Sequence, residues 1–246
     1  MGRKSGMKGS FKERRQKWKE ESERIAQAQK RVAEANKMTD PFQELSMGAF
    51  QKFDRNDISI NIEAKRVADL DEETLQWCID LTKVNMQDIY EMSEGGWSDR
   101  AKREEMTHES VWYLIARNQQ GQRKALVHFR FDMDYEVEVV YCYEIQLVKE
   151  VQKKGLGKFL MQILELFAFK TGMKKVMCTV FSHNTGSMAF FKKIKYVVDE
   201  TQPDPLMDGE VDYEILSKPI KPAPPARMPT ATRAADAVPT LVPAAS

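Results

Sequence analysis

Two glycines stand one residue apart in the stretch Gln152-Lys153-Lys154-Gly155-Leu156-Gly157, which is followed by Lys158. Glycines let backbone N–H groups approach an anion closely, and a helix beginning near Leu156 would add the positive end of its dipole. This chemistry suits a pyrophosphate. The stretch lacks the Gly-Lys-Ser/Thr ending of a Walker loop and the third glycine of the dinucleotide fingerprint. A glycine-capped turn with solvated lysines explains the same residues equally well.

The hydrophobic pattern predicts a strand before this loop and a helix after it. Apolar residues alternate over 137–147, and helical spacing then continues from Leu156 until Gly172, a C-cap candidate. The same reasoning predicts an amphipathic helix from Asp71 towards the Gly95-Gly96 pair and a short helix over 184–193. Further strands are predicted at 111–116, 127–133, 176–181, 196–198 and 211–216. This order indicates an α/β fold, with a mixed sheet flanked by helices.

Composition divides the 246 residues into three parts. We predict a basic, partly helical arm over 1–40, one folded domain over 41–216, and a disordered tail rich in proline and alanine over 217–246. Lys+Arg of 38 against Asp+Glu of 37 gives a net charge of +1, which argues against a whole-protein basic field for nucleic acid. Any such contact would come from the basic arm.

Two further observations concern the compartment. The longest apolar stretch, Val111 to Ala116, is far below the roughly 20 residues that cross a bilayer, so we expect no membrane span. Cys78, Cys142 and Cys178 are widely spaced in apolar segments, which fits neither a disulfide framework nor a zinc site. They indicate reduced core thiols in a cytosolic or nuclear protein.

Several motifs together carry a resemblance to a known family. The glycine loop, placed between a strand and a long helix, is similar to the acetyl-CoA pyrophosphate loop of the GCN5-related N-acetyltransferase superfamily. More specifically, the sequence resembles the NatD family of N-alpha-acetyltransferases in Met1-Gly-Arg-Lys-Ser5, Asp54-Arg-Asn56, Lys102-Arg-Glu-Glu-Met106, His128-Phe-Arg-Phe-Asp132, Tyr141-Cys-Tyr-Glu144, Lys154-Gly-Leu-Gly-Lys-Phe-Leu160 and Tyr213-Glu-Ile-Leu-Ser217. The resemblance covers nearly the whole of the predicted domain.

The resemblance implies a fold, a reaction and a substrate. The fold would be a mixed, mostly antiparallel sheet flanked by helices. The co-substrate would be acetyl-CoA, and we expect no metal. The acceptor would be the terminal serine amine of histone four and histone two-A tails, which begin Ser-Gly-Arg-Gly, attacking directly in a ternary complex. Such an enzyme would be a monomer acting in the nucleus and the cytoplasm.

The resemblance also assigns catalytic roles. It places the general base at Glu144, acting directly or through a water, with Tyr143 and Tyr213 as candidates for holding the amine or returning a proton to the thiolate. Read from the residues alone, Glu144 is a carboxylate on a solvated face and the tyrosines are core residues. Strict alternation separates Tyr143 from Glu144, whereas the bulge of this superfamily would re-aim them.

Binding residues follow from the same resemblance. For the coenzyme it assigns Asn184, which is also a plain N-cap candidate, backbone groups of Ile145, Gln146 and Leu147, and the loop residues Gln152, Lys153, Lys154, Gly155, Leu156, Gly157 and Lys158. For the substrate it assigns Tyr90, Asp132, Asp134, Tyr141, Tyr143, Thr179 and Tyr213. The chain departs from the family at Gly95, where the family has tryptophan, and at Asp134, where it has glutamate.

Three other functions fit the same residues. The acidic pocket would serve a histone-tail binding module without transfer activity. A superfamily acetyltransferase with a different amine substrate would share the loop and Glu144. The basic arm from Arg3 to Lys19 would suit a contact with nucleic acid or the ribosome, with a steep salt dependence.

Overall fold

A computed structural model of this chain describes residues 11–207 and 209–221, without the Lys12 side chain, and centres on one eight-stranded sheet in the order β1-β2-β3-β4-β5-β6-β8-β7. Within the described residues, β5 and β6 pair in parallel and all the other neighbouring strands pair antiparallel. The strands are β1 Lys52–Arg55, β2 Ile58–Arg66, β3 Trp112–Asn118, β4 Arg123–Asp134, β5 Val137–Leu147, β6 Lys175–Phe181, β7 Val197–Val198 and β8 Tyr213–Pro219.

Helices cover both faces of the sheet. They are α1 Phe11–Ala35, α2 Pro41–Glu44, α3 Glu72–Glu91, α4 Asp99–Met106, α5 Leu156–Thr171 and α6 Thr185–Lys193. Apolar residues of α1, α2, α5 and α6 pack on one face, which we call the α5 face. A smaller apolar cluster joins α3 and α4 to the other face, which we call the α4 face. The α4 face is therefore covered by a second, smaller apolar cluster, to which α3 and α4 contribute.

Side-chain and glycine caps set where the helices near the glycine loop begin and end. Asp71 accepts a hydrogen bond from the Thr74 amide at the start of α3, and Ser98 accepts one from the Ala101 amide at the start of α4. Gly172 ends α5 in the left-handed conformation, with φ of 78°, as its C-cap position favours. These caps fix the lengths of the elements that carry the site.

A bulge interrupts the pairing of β4 with β5. His128 lies opposite Glu144, but Phe129 lies opposite Cys142, so Tyr143 is an extra residue on β5. Before the bulge, Cys142 packs in the cluster of the α5 face, and after it Ile145 packs there too. Glu144, which lies between them in the chain, contacts α4 instead. Alternation alone could not decide whether the side chains of Tyr143 and Glu144 lie on the same face of the sheet. Because of the bulge, both lie on the α4 face.

The fold class expected from the sequence is confirmed: this is a mixed, mostly antiparallel sheet flanked by helices. The strand predicted over 137–147 has those bounds, and α5 ends at the predicted glycine. The helix expected to reach Gly95-Gly96 ends earlier, at Glu91. Strands β1 and β2 and helix α4 are absent from the expectation, because the exposed charges on them mask their short apolar patterns.

Two elements, α1 and β8, cross the predicted bounds of the folded domain. Helix α1 is not a separate arm over its whole length, because Ala28 and Ala35 are buried and Arg31 donates to the buried Glu138 of β5 (Nε–Oε1 3.0 Å). At the other end, β8 continues through Pro219, three residues into the predicted tail. Residues 1–10 and 222–246, with the first resemblance motif and most of that tail, lie outside the described residues.

The three cysteines are free and buried, which agrees with their prediction as core thiols. Burial raises the pKa of the Cys78 thiol to about 12, and it raises the pKa of Cys142 and Cys178 as well. In the described part of the chain, no helix is both long and apolar enough to span a bilayer.

A buried ion pair at the edge of the sheet yields a stability prediction. Lys175 donates to both carboxylate oxygens of Asp199 at 2.9 Å. Although burial opposes it, hydrogen bonds from Ser217, Lys175 and Thr201 lower the pKa of Asp199 from 3.8 to about 2. Because the folded pKa is depressed, the stabilisation is complete well above pH 4 and is lost as the pH falls towards 2.

We therefore expect Asp199→Asn to lower the free energy of unfolding by about 2 kcal/mol at pH 7, and by about half of that at pH 3. Urea unfolding at both pH values measures the difference. The exposed Asp88 provides the control, since Asp88→Asn should change neither value. A penalty for Asp199→Asn that is equal at pH 7 and pH 3 would contradict this account.

Candidate active site

A cleft opens where β5 and β6 separate. The two strands are paired only along Val139–Cys142 of β5 and Lys175–Cys178 of β6. Beyond these residues the strands diverge, and a cleft of about 310 Å³ lies between them and under α3 and α4. The sequence-predicted residues that line it are Tyr90, Tyr141, Tyr143, Glu144, Ile145, Gln146, Thr179, Asn184 and Tyr213. The structure thus brings together residues from α3, β5, β6 and β8 and the cap of α6.

Glu144 lies at the centre of the cleft and is only 5% exposed. Its Oε1 accepts a hydrogen bond from Lys102 Nζ at 3.0 Å, and its Oε2 accepts one from Gln146 Nε2 at 2.8 Å. The amide of Gln146 is itself oriented by Asn85 of α3, which donates to its Oε1 at 3.0 Å. The carboxylate that the resemblance assigns as the base is therefore held at both oxygens, and it is not on a solvated face.

Lys102 is a buried cation that the sequence reasoning assigned no role. Its Nζ donates to Glu144 at 3.0 Å, to Glu105 Oε1 at 2.9 Å and to the Tyr90 hydroxyl at 2.7 Å. Burial would lower the pKa of Lys102, but Glu144, Glu105 and Tyr90 outweigh it and raise that pKa, so the ammonium stays charged. The motif Lys102–Met106, quoted above for the resemblance, could have drawn attention to this lysine. The sequence pattern did not predict α4, the helix that carries the motif.

The tyrosines of the cleft are packed against other rings and polar groups. The Tyr143 ring stacks on His128 with centroids 4.9 Å apart, and the Arg130 guanidinium lies 4.3 Å from its centroid. Burial raises the pKa of Tyr143, and it raises the pKa of Tyr141, which shares a hydrogen bond with Thr179, to about 12. Tyr213 lies opposite Phe181 at the start of β8 and lines the same cleft.

His128 is a second residue that the sequence reasoning left without a role. Its ring is fully buried next to Tyr113 and Tyr143, and both ring nitrogens lack a hydrogen-bond partner in the described structure. Burial lowers the pKa of His128 well below its ordinary value, so the imidazole is neutral. It lies opposite Glu144 and supports the ring of Tyr143 by stacking.

Two carboxylates lie beyond the tyrosines on the same face of the sheet. Asp132 and Asp134 alternate on β4 with Phe131, which packs in the α5-face core, so both point to the cleft side. Neither lines the cleft itself. Burial raises the pKa of Asp134, and its Oδ2 is buried without a partner in the described structure. This end of the site can accept a donor that the protein itself does not supply.

Gly95, where the chain departs from the family, lies in the segment between α3 and α4. A side chain added there would meet no atom within 4 Å. Nearby, Trp97 packs edge-on against Tyr90 with centroids 5.3 Å apart, and Tyr90 packs likewise against Phe181 at 4.8 Å. Trp97, Tyr90 and Phe181 therefore form a row of three rings, to which Gly95 adds none.

The glycine loop lies at the end of β5 and leads into α5. Gly155 has φ of 88° and leaves the start of α5 without a side-chain cap. Backbone N–H groups of the first turn consequently have no partner within the helix. Lys153 and Lys158 are exposed, Lys154 is half-buried, and these three ammonium groups have no carboxylate partner in the described part of the chain. The loop is thus an anion-binding geometry with spare positive charge.

Individual loop residues contribute in different ways. The Leu156 side chain is buried in the core, so only its backbone faces the loop. Gln152 donates to the Leu147 carbonyl at 3.0 Å, and Asn56 of the β1–β2 turn donates to the Lys154 carbonyl at 2.8 Å. Asn184 caps α6 by accepting from the Ser187 amide, which bears out its reading as an N-cap, and it also lines the cleft.

These features fit acetyl-CoA. Among the described residues, the β5 edge over 143–147 has no strand partner on the β6 side, so its backbone groups other than the Leu147 carbonyl, which accepts from Gln152, can bind an extended pantetheine arm. The uncapped helix start and the three lysines suit a pyrophosphate. Among the described residues there is no cluster of three or more histidine, cysteine or acidic side chains suited to a metal ion.

Comparison with known proteins agrees with this geometry. Residues 80–196 match the model of the acetyltransferase (GNAT) family. The fold is similar to a GNAT-family acetyltransferase from Listeria monocytogenes, with 8% identity, a TM-score of 0.50 and coverage of 68% of this chain and 99% of that chain. It is equally similar to one from Staphylococcus aureus, with 10% identity, a TM-score of 0.50 and coverage of 65% and 99%.

A sheet that splays above a helix start with two glycines, together with this family match over residues 80–196, is typical of acyltransferases that use acetyl-CoA. The family model and the structural neighbours support the GNAT acetyltransferase superfamily for this domain. The match extends from the middle of α3 to the start of β7 and includes Glu144 and the glycine loop.

The charge of the loop gives the second prediction. Lys154→Glu places a carboxylate beside the expected pyrophosphate, and we expect it to weaken acetyl-CoA binding about 10-fold or more. Isothermal titration calorimetry at low salt measures the dissociation constant. Lys170→Glu at the other end of α5 is the matched control, with no change expected. An unchanged affinity in Lys154→Glu would contradict the assignment of the loop.

Proposed function

We propose that this protein transfers the acetyl group of acetyl-CoA to the free α-amino group of the terminal serine of histone four and histone two-A tails, the activity of NatD enzymes. The observation that carries the proposal is the buried Glu144, which is held at both carboxylate oxygens in the cleft. Asp132 and Asp134 lie on the same face of the sheet, outside the cleft lining, and add acidic groups for a cationic peptide. The NatD-like motifs support the substrate choice. The expected compartments, nucleus and cytoplasm, are part of the same proposal.

The transfer requires an uncharged amine and a proton acceptor. Acetyl-CoA supplies a thioester whose carbonyl carbon is open to attack by an amine. Glu144 removes a proton from the ammonium, directly or through a water, because its carboxylate is buried in the cleft and acts only as an acceptor. A phenol hydroxyl, that of Tyr143 or Tyr213, returns a proton to the departing thiolate. No covalent enzyme intermediate is needed in this sequence.

The acidic end of the site suits the peptide. The tail begins Ser-Gly-Arg-Gly, and its only charges in these residues are the terminal amine and the arginine. Asp134 offers a buried oxygen without a protein partner, and Asp132 lies two residues away on the same face. A guanidinium bound there forms charge-assisted hydrogen bonds, which are about twice as strong as neutral ones. The lysines of the loop repel the same cationic peptide, so the distribution of charge along β5 also orients the peptide in the site.

The direct test combines a substrate assay with one variant. We expect mass spectrometry to find acetyl on the terminal amine of a Ser-Gly-Arg-Gly-Lys-Gly peptide, and none on the same peptide with a blocked terminus. Glu144→Gln should lower kcat about 100-fold or more while the acetyl-CoA dissociation constant stays unchanged. Glu34→Gln, on the exposed surface of α1, is the control.

Each outcome of this assay has a consequence. Acetylation of the lysine in both peptides would replace the proposal by a superfamily enzyme with a different amine substrate. Binding of peptide and acetyl-CoA without transfer would favour the tail-binding module. Full activity in Glu144→Gln would remove Glu144 as the base.

A further prediction concerns the third residue of the peptide. Replacing its arginine by alanine should lower kcat/KM of the wild-type protein about 10-fold. In Asp134→Asn, the ratio of kcat/KM between the arginine peptide and the alanine peptide should fall towards one. Steady-state kinetics with both peptides and both proteins forms a double-mutant cycle. Equal ratios in the two proteins would exclude Asp134 from binding this arginine.

A further inference from the structure

We propose that Lys102 is the positioning residue of this active site: one buried ammonium holds the carboxylate of Glu144 ionised and in place, and orients the hydroxyl of Tyr90 towards the substrate. The inference rests on the proposed function for the role of Glu144. It concerns a residue outside the roles assigned above, and it follows from the contacts of Lys102 itself.

The ammonium has no proton to spare. A protonated lysine has three N–H donors, and Lys102 directs them to Glu144, Glu105 and Tyr90 at 3.0, 2.9 and 2.7 Å. Its side chain is only 5% exposed. Because all three donors are used inside the protein, Lys102 cannot donate to the substrate. Because its ammonium stays charged, it cannot act as the base, and its role is to position other groups.

The geometry of Glu144 depends on this cation. A buried carboxylate without a partner is protonated or expelled, since desolvation strongly disfavours its charge. Lys102 supplies the compensating charge at Oε1, and Gln146 holds Oε2 with a neutral amide. The amide contributes direction but no charge. Removing Lys102 would therefore leave the ionised form of Glu144 without its only cationic hydrogen-bond donor in the described structure.

Tyr90 is oriented by the same ammonium. Its hydroxyl oxygen accepts from Lys102, so the hydroxyl proton must point elsewhere, and Tyr90 lines the cleft. The ring is held by edge contacts with Trp97 and Phe181. The Tyr90 hydroxyl thus keeps its own proton for a carbonyl or hydroxyl oxygen of the peptide. A single lysine couples the base to a substrate contact.

Helix α4 brings the lysine into the cleft. Met106 is four residues after Lys102, on the same side of the helix, and is fully buried in the α4-face cluster. The Met106 carbonyl also accepts a hydrogen bond from the buried Tyr113 hydroxyl at 2.8 Å. These contacts dock the last turn of α4 on β3, and the first turn is capped by Ser98. The lysine side chain therefore enters from a helix fixed at both ends.

The charge balance of the cluster predicts that loss of Lys102 and loss of Glu105 shift the ionisation of Glu144 in opposite directions. Lys102 serves two carboxylates, and Glu105 is the more exposed of them, with 34% exposure. Loss of the cation should make Glu144 harder to ionise, whereas loss of Glu105 should leave the cation to Glu144 alone. The other titratable or charged groups facing this cluster from the packed elements are Tyr90, Tyr113, His128, Arg130 and Tyr143.

The test follows the Glu144 carboxyl by carbon-13 NMR in the full-length protein, assigned with Glu144→Gln. In Lys102→Met the midpoint of this titration should rise by about 1–3 pH units relative to the wild type. In Glu105→Gln it should fall by about half a unit. Lys83→Met removes the solvent-accessible ion pair between Lys83 of α3 and Asp99 of α4 and should leave the midpoint unchanged.

Kinetics with the Ser-Gly-Arg-Gly-Lys-Gly peptide provides the second measurement. Lys102→Met should lower kcat at pH 7 about 10-fold or more and leave KM for acetyl-CoA within about twofold. Lys102→Arg keeps the charge and should recover part of kcat, although its planar fork fits three separate acceptors less well. Lys83→Met should match the wild type in both constants.

The outcomes separate this proposal from the proposed function. If the titration moves as expected but the wild type acetylates no terminal amine, Lys102 keeps its role and the proposed function fails. If the peptide is acetylated but the titration moves in neither variant, the Lys102 proposal fails alone. Should Lys102→Met not fold, Glu105→Gln decides: a midpoint that stays or rises in that variant overturns the proposal.

Discussion

One extra residue in β5 determines how this active site is built. The bulge at Tyr143 rotates the strand so that Tyr143 and Glu144 share the α4 face, while Cys142 and Ile145 pack in the core on the α5 face. Without it, strict alternation would leave one of the two on the wrong side of the sheet. Pairing with β6 ends just before the bulge, and the cleft begins there.

The buried charge of Glu144 is the second constraint, and most of the α4 face serves it. A carboxylate that is 5% exposed requires a cation and hydrogen bonds, and Lys102 and Gln146 supply them from α4 and from β5. Both partners are held in turn by hydrogen bonds: Lys102 by Glu105 and Tyr90, and Gln146 by Asn85. The two helices over this face therefore complete the polar network, and the smaller apolar cluster anchors them.

The two ends of β5 carry opposite charge, although the whole chain carries a net charge of only +1. Lysines of the glycine loop and the start of α5 lie at one end, and Asp132 and Asp134 lie beyond the tyrosines at the other. An anionic coenzyme and a cationic peptide would thus enter from different sides and meet near Glu144. A balanced total charge conceals this local separation, which the fold creates by placing the C-terminal end of β4 and the loop at opposite ends of β5.

The sequence by itself determined the elements with strong patterns: the alternating strand over 137–147, the helix from Leu156 to its glycine C-cap, the mixed sheet, and a glycine loop suited to an anion. These depend on local periodicity and on glycine conformation, which neighbouring residues fix. The tertiary structure alone decided that Glu144 is buried, that Tyr143 joins it on one face, and that Lys102 lies 3.0 Å away. Lys102 and Glu144 are 42 residues apart in the chain, and their contact depends on how α4 docks on the sheet. The physical reason is that periodicity specifies which face of an element is apolar, whereas burial of a charge and the register of a bulge depend on partners distant in sequence.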